Sequence, residues 1–167
     1  MLLAGGPLAW SPLAWGPVDA APPADVPRTI RDAVRSMLAG LPGLVEIVGG
    51  RIRYAGSGQG DPEPRVTYFI PSRTRGVDID GPDGQSYARV RVSVWSLDAD
   101  EAESMAAIVG GLDGFTGWVG SVYIDSFDYS SEIDLPEPLG DGTESTVYQI
   151  VVEFEAEHKI EVVHAGA

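Results

Sequence analysis

Hydrophobic residues first recur at helical spacing, with Ile30, Val34, Met37, Leu38 and Leu41 on one stripe. Asp25 is a fitting N-cap for this helix and Pro27 suits its first turn. Gly40 and Pro42 stop it. Arg28, Arg31 and Arg35 fall together on another face of the same helix. Residues 44–48 suggest one further helical turn, closed by Gly49-Gly50, and residues 51–54 a short strand. Residues 56–64 are rich in Gly and Pro and predict a loop. Residues 65–72 then alternate as a strand, with Val66, Tyr68 and Ile70 on one face. Residues 73–84 form a long polar connection.

The clearest strand is 85–96, where Val90, Val92 and Val94 point one way and Arg89, Arg91 and Ser93 the other. Asp98 caps a second main helix, with Glu101 at the capping-box position. Its buried stripe is Ala102, Met105, Val109 and Leu112, and Asp113-Gly114 ends it. Residues 119–129 make another strand, 135–142 a Pro/Gly loop, and 146–158 the last strand. There Tyr148, Ile150, Val152 and Phe154 face the core, while Glu153, Glu155 and Glu157 face away.

The element order is helix, strand, strand, helix, strand, strand. Consecutive strands joined by loops usually pair antiparallel. The expected class is therefore α+β, a mostly antiparallel sheet of about four strands with two helices packed on one face. The other face is expected to be polar. A chain of 167 residues suits one domain, at roughly 150 residues per domain.

Residues 1–24 depart from this pattern. They contain no Lys or Arg and a single charge, Asp19, and they repeat a tetrapeptide, Pro7-Leu8-Ala9-Trp10 and then Pro12-Leu13-Ala14-Trp15. Prolines at that spacing forbid a regular helix. The segment lacks the basic n-region and unbroken apolar run of a secretory signal, and it is too interrupted for a membrane span. It reads as a flexible arm in which Trp10 and Trp15 are candidate anchors on a partner. The domain is expected over residues 25–160, with 161–167 as a C-terminal tail.

Composition narrows the chemistry. There is no Cys, which removes disulfides, thiolate metal sites and cysteine nucleophiles. Eleven basic residues stand against 25 acidic ones, a formal charge of −14 that repels phosphate backbones. The two His, His158 and His164, leave few conventional general bases. The glycines of residues 56–60 are not followed by the Lys and Ser/Thr of a phosphate loop. Asp78, Asp80 and Asp83 suggest a calcium loop, but Pro82 breaks the ligand spacing and no Glu closes it. Asp125 and Asp128, three apart on a strand, are expected on opposite faces. No catalytic, cofactor or metal site is expected.

What remains are charged stripes suited to interfaces. Arg89 and Arg91 share the non-core face of one strand; Glu153, Glu155 and Glu157 share that of another. Neighbouring strands would make them cross-strand pairs, each contributing roughly 0–1 kcal/mol when exposed. The Arg28/Arg31/Arg35 stripe and the acidic last strand are candidate complementary patches for a ring. Arg73, Arg75, Asp78 and Asp80 in the polar connection complete the set of interface candidates.

The order of motifs resembles a known family. It comprises Gly50-Arg51-Ile52-Arg53-Tyr54, a strand bounded by Pro64 and Pro71, and the loop Gly76-Val77-Asp78-Ile79-Asp80-Gly81. Next come the strand Ala88-Arg89-Val90-Arg91-Val92-Ser93-Val94-Trp95-Ser96 and a helix closing on Leu112-Asp113-Gly114. Over about residues 25–160 this is similar to the tail-completion proteins, or tail terminators, of long-tailed bacteriophages. The first 24 residues have no counterpart in the pattern, and Arg53 stands where a small or aromatic residue is more usual.

The resemblance implies a structural virion protein and no enzyme. It implies a homo-oligomer, usually a hexameric ring, at the head–tail interface. Such a ring ends tail-tube polymerisation and meets both the tail tube protein and the head–tail connector. DNA would pass through without being tightly held, and no membrane is involved. The alternatives are another phage neck or tail adaptor, or a small cellular ligand-binding module.

Overall fold

The computed structural model describes residues 27–55, 61–79, 81–138 and 146–160. Trp10, Trp15, Asp25 and Asp80 lie outside the described residues, as do the 1–24 arm and the 161–167 tail. Of Asp78, only the backbone is described.

Helix α1 (Ile30–Ala39) starts later than expected, because Thr29 caps it and Pro27 precedes it. The Thr29 hydroxyl accepts from the Asp32 backbone N–H at 3.2 Å and donates to the Asp32 carboxylate at 2.8 Å. Ile30, Ala33, Val34, Met37 and Leu38 form its buried stripe. Helix α2 (Pro42–Val48) begins on its proline and buries Leu44 and Val48.

Strands β1 (Ile52–Tyr54), β2 (Arg65–Asp78) and β3 (Gly81–Ser96) precede helix α3 (Ala99–Gly110). Strands β4 (Gly117–Val119), β5 (Val122–Pro138) and β6 (Thr146–Ile160) follow it. Asp98 caps α3 by accepting from the Glu101 N–H at 2.9 Å. The capping box is rerouted through Ser96, whose hydroxyl donates to Glu101 at 2.7 Å and accepts from the Asp98 N–H at 3.0 Å. The predicted stripe of Ala102, Met105, Val109 and Leu112 is buried.

The expected sheet of about four antiparallel strands under two helices is not what forms. Six strands make one mixed sheet in the order β1-β2-β3-β6-β5-β4, and three helices accompany it. The β1/β2 pair is parallel and the others antiparallel. The sheet curls into a half-barrel. Helix α1 touches both β1 and β4, the two edge strands, so the sheet wraps about it.

Two connections expected as loops are strands. The polar stretch 73–84 continues β2 and β3 to a tight turn, with Asp78 opposite Gly81. Residues 135–138 extend β5 opposite the start of β6. Alternation of apolar and polar residues marks a strand only where one face is buried. Among the described side chains here, Arg73, Thr74, Arg75, Val77 and Leu135 are exposed. Conversely, the single strand expected over 119–129 is broken at Gly120, whose φ of +62° turns β4 back along β5.

Val66, Tyr68 and Ile70 of β2, Val90, Val92 and Val94 of β3, and Ile150, Val152 and Phe154 of β6 all face the helices. Phe127 and Phe154, both fully buried, stack with centroids 4.5 Å apart. The first described residue, Pro27, is pinned to the β4–β5 turn, where its carbonyl accepts from the Ser121 N–H at 2.8 Å.

Candidate functional site

On the face away from the helices, strand register lines residues up in rungs across β2, β3, β6 and β5. One rung is Arg65, Trp95, Gln149 and Leu135; the next is Thr67, Ser93, Val151 and Ile133; the third is Phe69, Arg91, Glu153 and Ser131. Side chains bond along these rungs. Trp95 Nε1 donates to Thr67 at 3.0 Å beneath the Arg65 guanidinium, and Gln149 donates to Ser93 at 3.2 Å.

Arg91 Nε donates to Glu153 at 2.6 Å while Ser131 donates to the other carboxylate oxygen at 3.2 Å. The Arg91 guanidinium also lies over the Phe69 ring. Glu153 is 9% exposed, so this face is not uniformly solvated as expected. The Arg91 hydrogen bond holds its carboxyl below the ordinary value of 4.5, against the opposing effect of burial.

The predicted cross-strand partners are thus brought together, Arg91 opposite Glu153 and Arg89 opposite Glu155. Arg91 and Glu153 form an ion pair. Arg89, Glu155 and Asp128 instead line a shallow open groove of about 370 Å³ with Ser72, Tyr87 and Glu157. Glu157 accepts from Gln85.

Asp125 and Asp128 do not point to opposite faces. A bulge between Ile124 and Ser126 inserts one residue, after which Phe127 returns to the core and Asp128 pairs with Glu155. Asp125 lies beside Lys159 at 3.5 Å, on the same polar side. Among the described residues no group of three or more His, Asp or Glu could hold a metal ion.

The other predicted residues are scattered. Arg31 and Arg35 are exposed on α1, with Arg31 over the Tyr54 ring, and Arg28 precedes the helix. Arg73 and Arg75 lie exposed on β2 opposite Ala88 and Ser86, on the side the helices cover elsewhere.

Strand edges are what the residue-by-residue reading missed. β1 covers the outer edge of β2 only at Val66–Tyr68, and β4 covers that of β5 only at Val122–Ile124. Gly114 N–H donates to the Phe127 carbonyl and Asp113 accepts from the Tyr129 N–H, both at 2.8 Å, which extends the cover of β5 slightly. Beyond these points, residues 72–78 of β2 and 130–135 of β5 have no outer strand partner among the described residues. Pro71, Pro136 and Pro138 bound the open stretches, since proline withholds a backbone donor.

The two open edges carry opposite charge. Arg73 and Arg75 project from one; Glu132 and Asp134, exposed and opposite Val152 and Ile150, project from the same face of the other. An available signal was the alternation Ser131-Glu132-Ile133-Asp134-Leu135, which continues the strand past Tyr129.

His158 is 2% exposed on the helix-facing side, between Ser86 and Ile124, and its Nδ1 has no hydrogen-bond partner. Burial pushes its pKa below the ordinary 6.5, with Arg73 adding to the shift and Asp125 opposing it. No described helix is long and apolar enough to cross a membrane.

No family model matches the chain, and no curated protein matches it. Among solved structures, the fold is shared with a chain of the virion of a native gene transfer agent (GTA) particle, at TM-score 0.59 and 16% identity. The similarity covers 78% of this chain and 94% of that one.

Proposed function

We propose that this chain is a structural subunit of a phage-like virion that closes into a ring at the head-proximal end of the tail. The observation that carries this reading is the pair of open, oppositely charged edges on one sheet. Support comes from the fold shared with a gene transfer agent virion chain and from the order of motifs similar to tail terminators.

An exposed strand edge is a template for another strand. Successive pairings make β2 and β5 run antiparallel to each other. Under rotational symmetry, β5 of one copy therefore meets β2 of the next as an antiparallel pair, a heterologous contact that can close. Arg73 and Arg75 then lie on the same face as Glu132 and Asp134 of the neighbour, and opposite-charge pairs of this kind contribute roughly 0.2–1 kcal/mol each. The open stretches lie on opposite sides of the Phe69–Arg91–Glu153–Ser131 rung. Closed sheets need that kind of stagger, because their strands tilt.

The role is structural rather than catalytic. The excess of acidic residues lets duplex DNA pass without a grip on its phosphates. The finer assignment, termination of the tail tube and contact with the connector, is tested by adding the purified chain to polymerising tail tube protein. Growth that stops at capped tubes is the expected result; tubes of unchanged length contradict it.

A further inference from the structure

We propose that the second Pro-Leu-Ala-Trp copy, Pro12 to Trp15, docks in an apolar groove on its own subunit. The groove has a volume of about 350 Å³, and Met37, Leu41, Leu112, Phe115 and Val119 line it beside Ser36. It lies where the end of α1, the segment after α3 and β4 meet. None of its lining residues is charged.

The chain itself supplies an occupant. Pro27 packs against Gly120, so closely that a Cβ there would come within 2.5 Å of the Pro27 carbonyl oxygen. Gly120 follows Val119 of the groove wall, so the first described residue enters beside it. Eleven residues lie between Trp15 and Pro27, a reach of at most roughly 40 Å. Residues 1–24 carry one charged side chain, Asp19, and two Leu/Trp pairs, and they match the groove in polarity. A buried Trp covers roughly 150–250 Å², enough to dominate so small a site. Prolines at positions 12 and 17 restrict the backbone before binding, which lowers the ordering cost. Tethering raises the local concentration of the segment to roughly millimolar. This inference does not depend on the ring.

The absence of Cys allows a clean test on the full chain. Gly16→Cys is combined with Ser36→Cys at the groove, and in a control with Ser104→Cys, which is exposed on α3. Both are oxidised and run unreduced under denaturing conditions. Docking predicts an intrachain disulfide that forms about tenfold faster with Ser36→Cys than with the control. Adding Trp15→Ser should bring the rate down to the control, while Trp10→Ser should not. Equal rates for the two pairs overturn the proposal. So does a disulfide of the Gly16→Cys/Ser36→Cys chain that runs as a dimer, linking two chains rather than closing within one.

Discussion

Replacing Arg91 by Met isolates the rung that holds the buried carboxylate of Glu153. Glu153 keeps 12% of its side-chain surface and takes two bonds from Arg91 and one from Ser131. Removing one partner of a fully buried pair costs about 3–5 kcal/mol, because the other charge stays desolvated. Arg91 is itself 38% exposed, so water can reach the vacated space and the cost falls to about 2 kcal/mol. In a chain of this length that lowers the midpoint of thermal unfolding by roughly 4–8 °C.

The effect depends on pH with a defined sign. The folded-state pKa of Glu153 is depressed, so its stabilisation is present above the unfolded value near 4.5 and is lost as pH falls through the lower folded value. In Arg91→Met the largest source of that depression is gone and burial, which favours the neutral acid, is opposed only by Ser131 and Arg89, so the deficit should shrink as pH falls through the ordinary value of 4.5 and the carboxylate protonates. Arg91→Met with Glu153→Met removes both charges and should recover to within about 1 kcal/mol of the parent. Urea unfolding at pH 7 and pH 4 measures all of this. A deficit below about 0.5 kcal/mol at pH 7, as for an exposed pair, would refute the reasoning.

Three further outcomes follow from the same geometry. Arg73→Glu with Arg75→Glu should abolish ring formation in electron micrographs, and adding Glu132→Arg with Asp134→Arg should restore it, since the pairing is reversed but intact. Because His158 is held neutral, the unfolded chain binds its proton first; stability should fall as pH drops below about 6.5, and His158→Leu should flatten that part of the profile in thermal unfolding. Random-sequence duplex DNA should not be retarded in a low-salt gel, where attraction to any basic patch would be strongest.

The half of the fold that touches the core was legible residue by residue. The stripes of α1 and α3 and the inward faces of β2, β3 and β6 follow from single-face burial, and period two placed Arg91 and Glu153 on the non-core faces of their strands; that the two strands are neighbours came from the fold. Three features were not legible. Along 73–77 the described side chains are exposed or half-buried, so no hydrophobic period reports that stem; along 131–135 the alternation is present, but neither set of residues is buried. The bulge at Asp125 shifts parity by one residue, which reversed the expected relation to Asp128. The number of strands and their order depend on α1 reaching both sheet edges, a contact between distant segments with no local signature. The candidate interface suffered most, because Glu132 and Asp134 become partners for Arg73 and Arg75 only once the edges are known.

Electron microscopy of the purified chain over a range of concentrations, with native mass measurement of the same samples, tests the proposed ring most directly. Edge-to-edge closure of β5 on β2 predicts a closed ring of about six copies with cyclic symmetry and no larger open polymer. A stable two-fold dimer, or a filament that never closes, would contradict it.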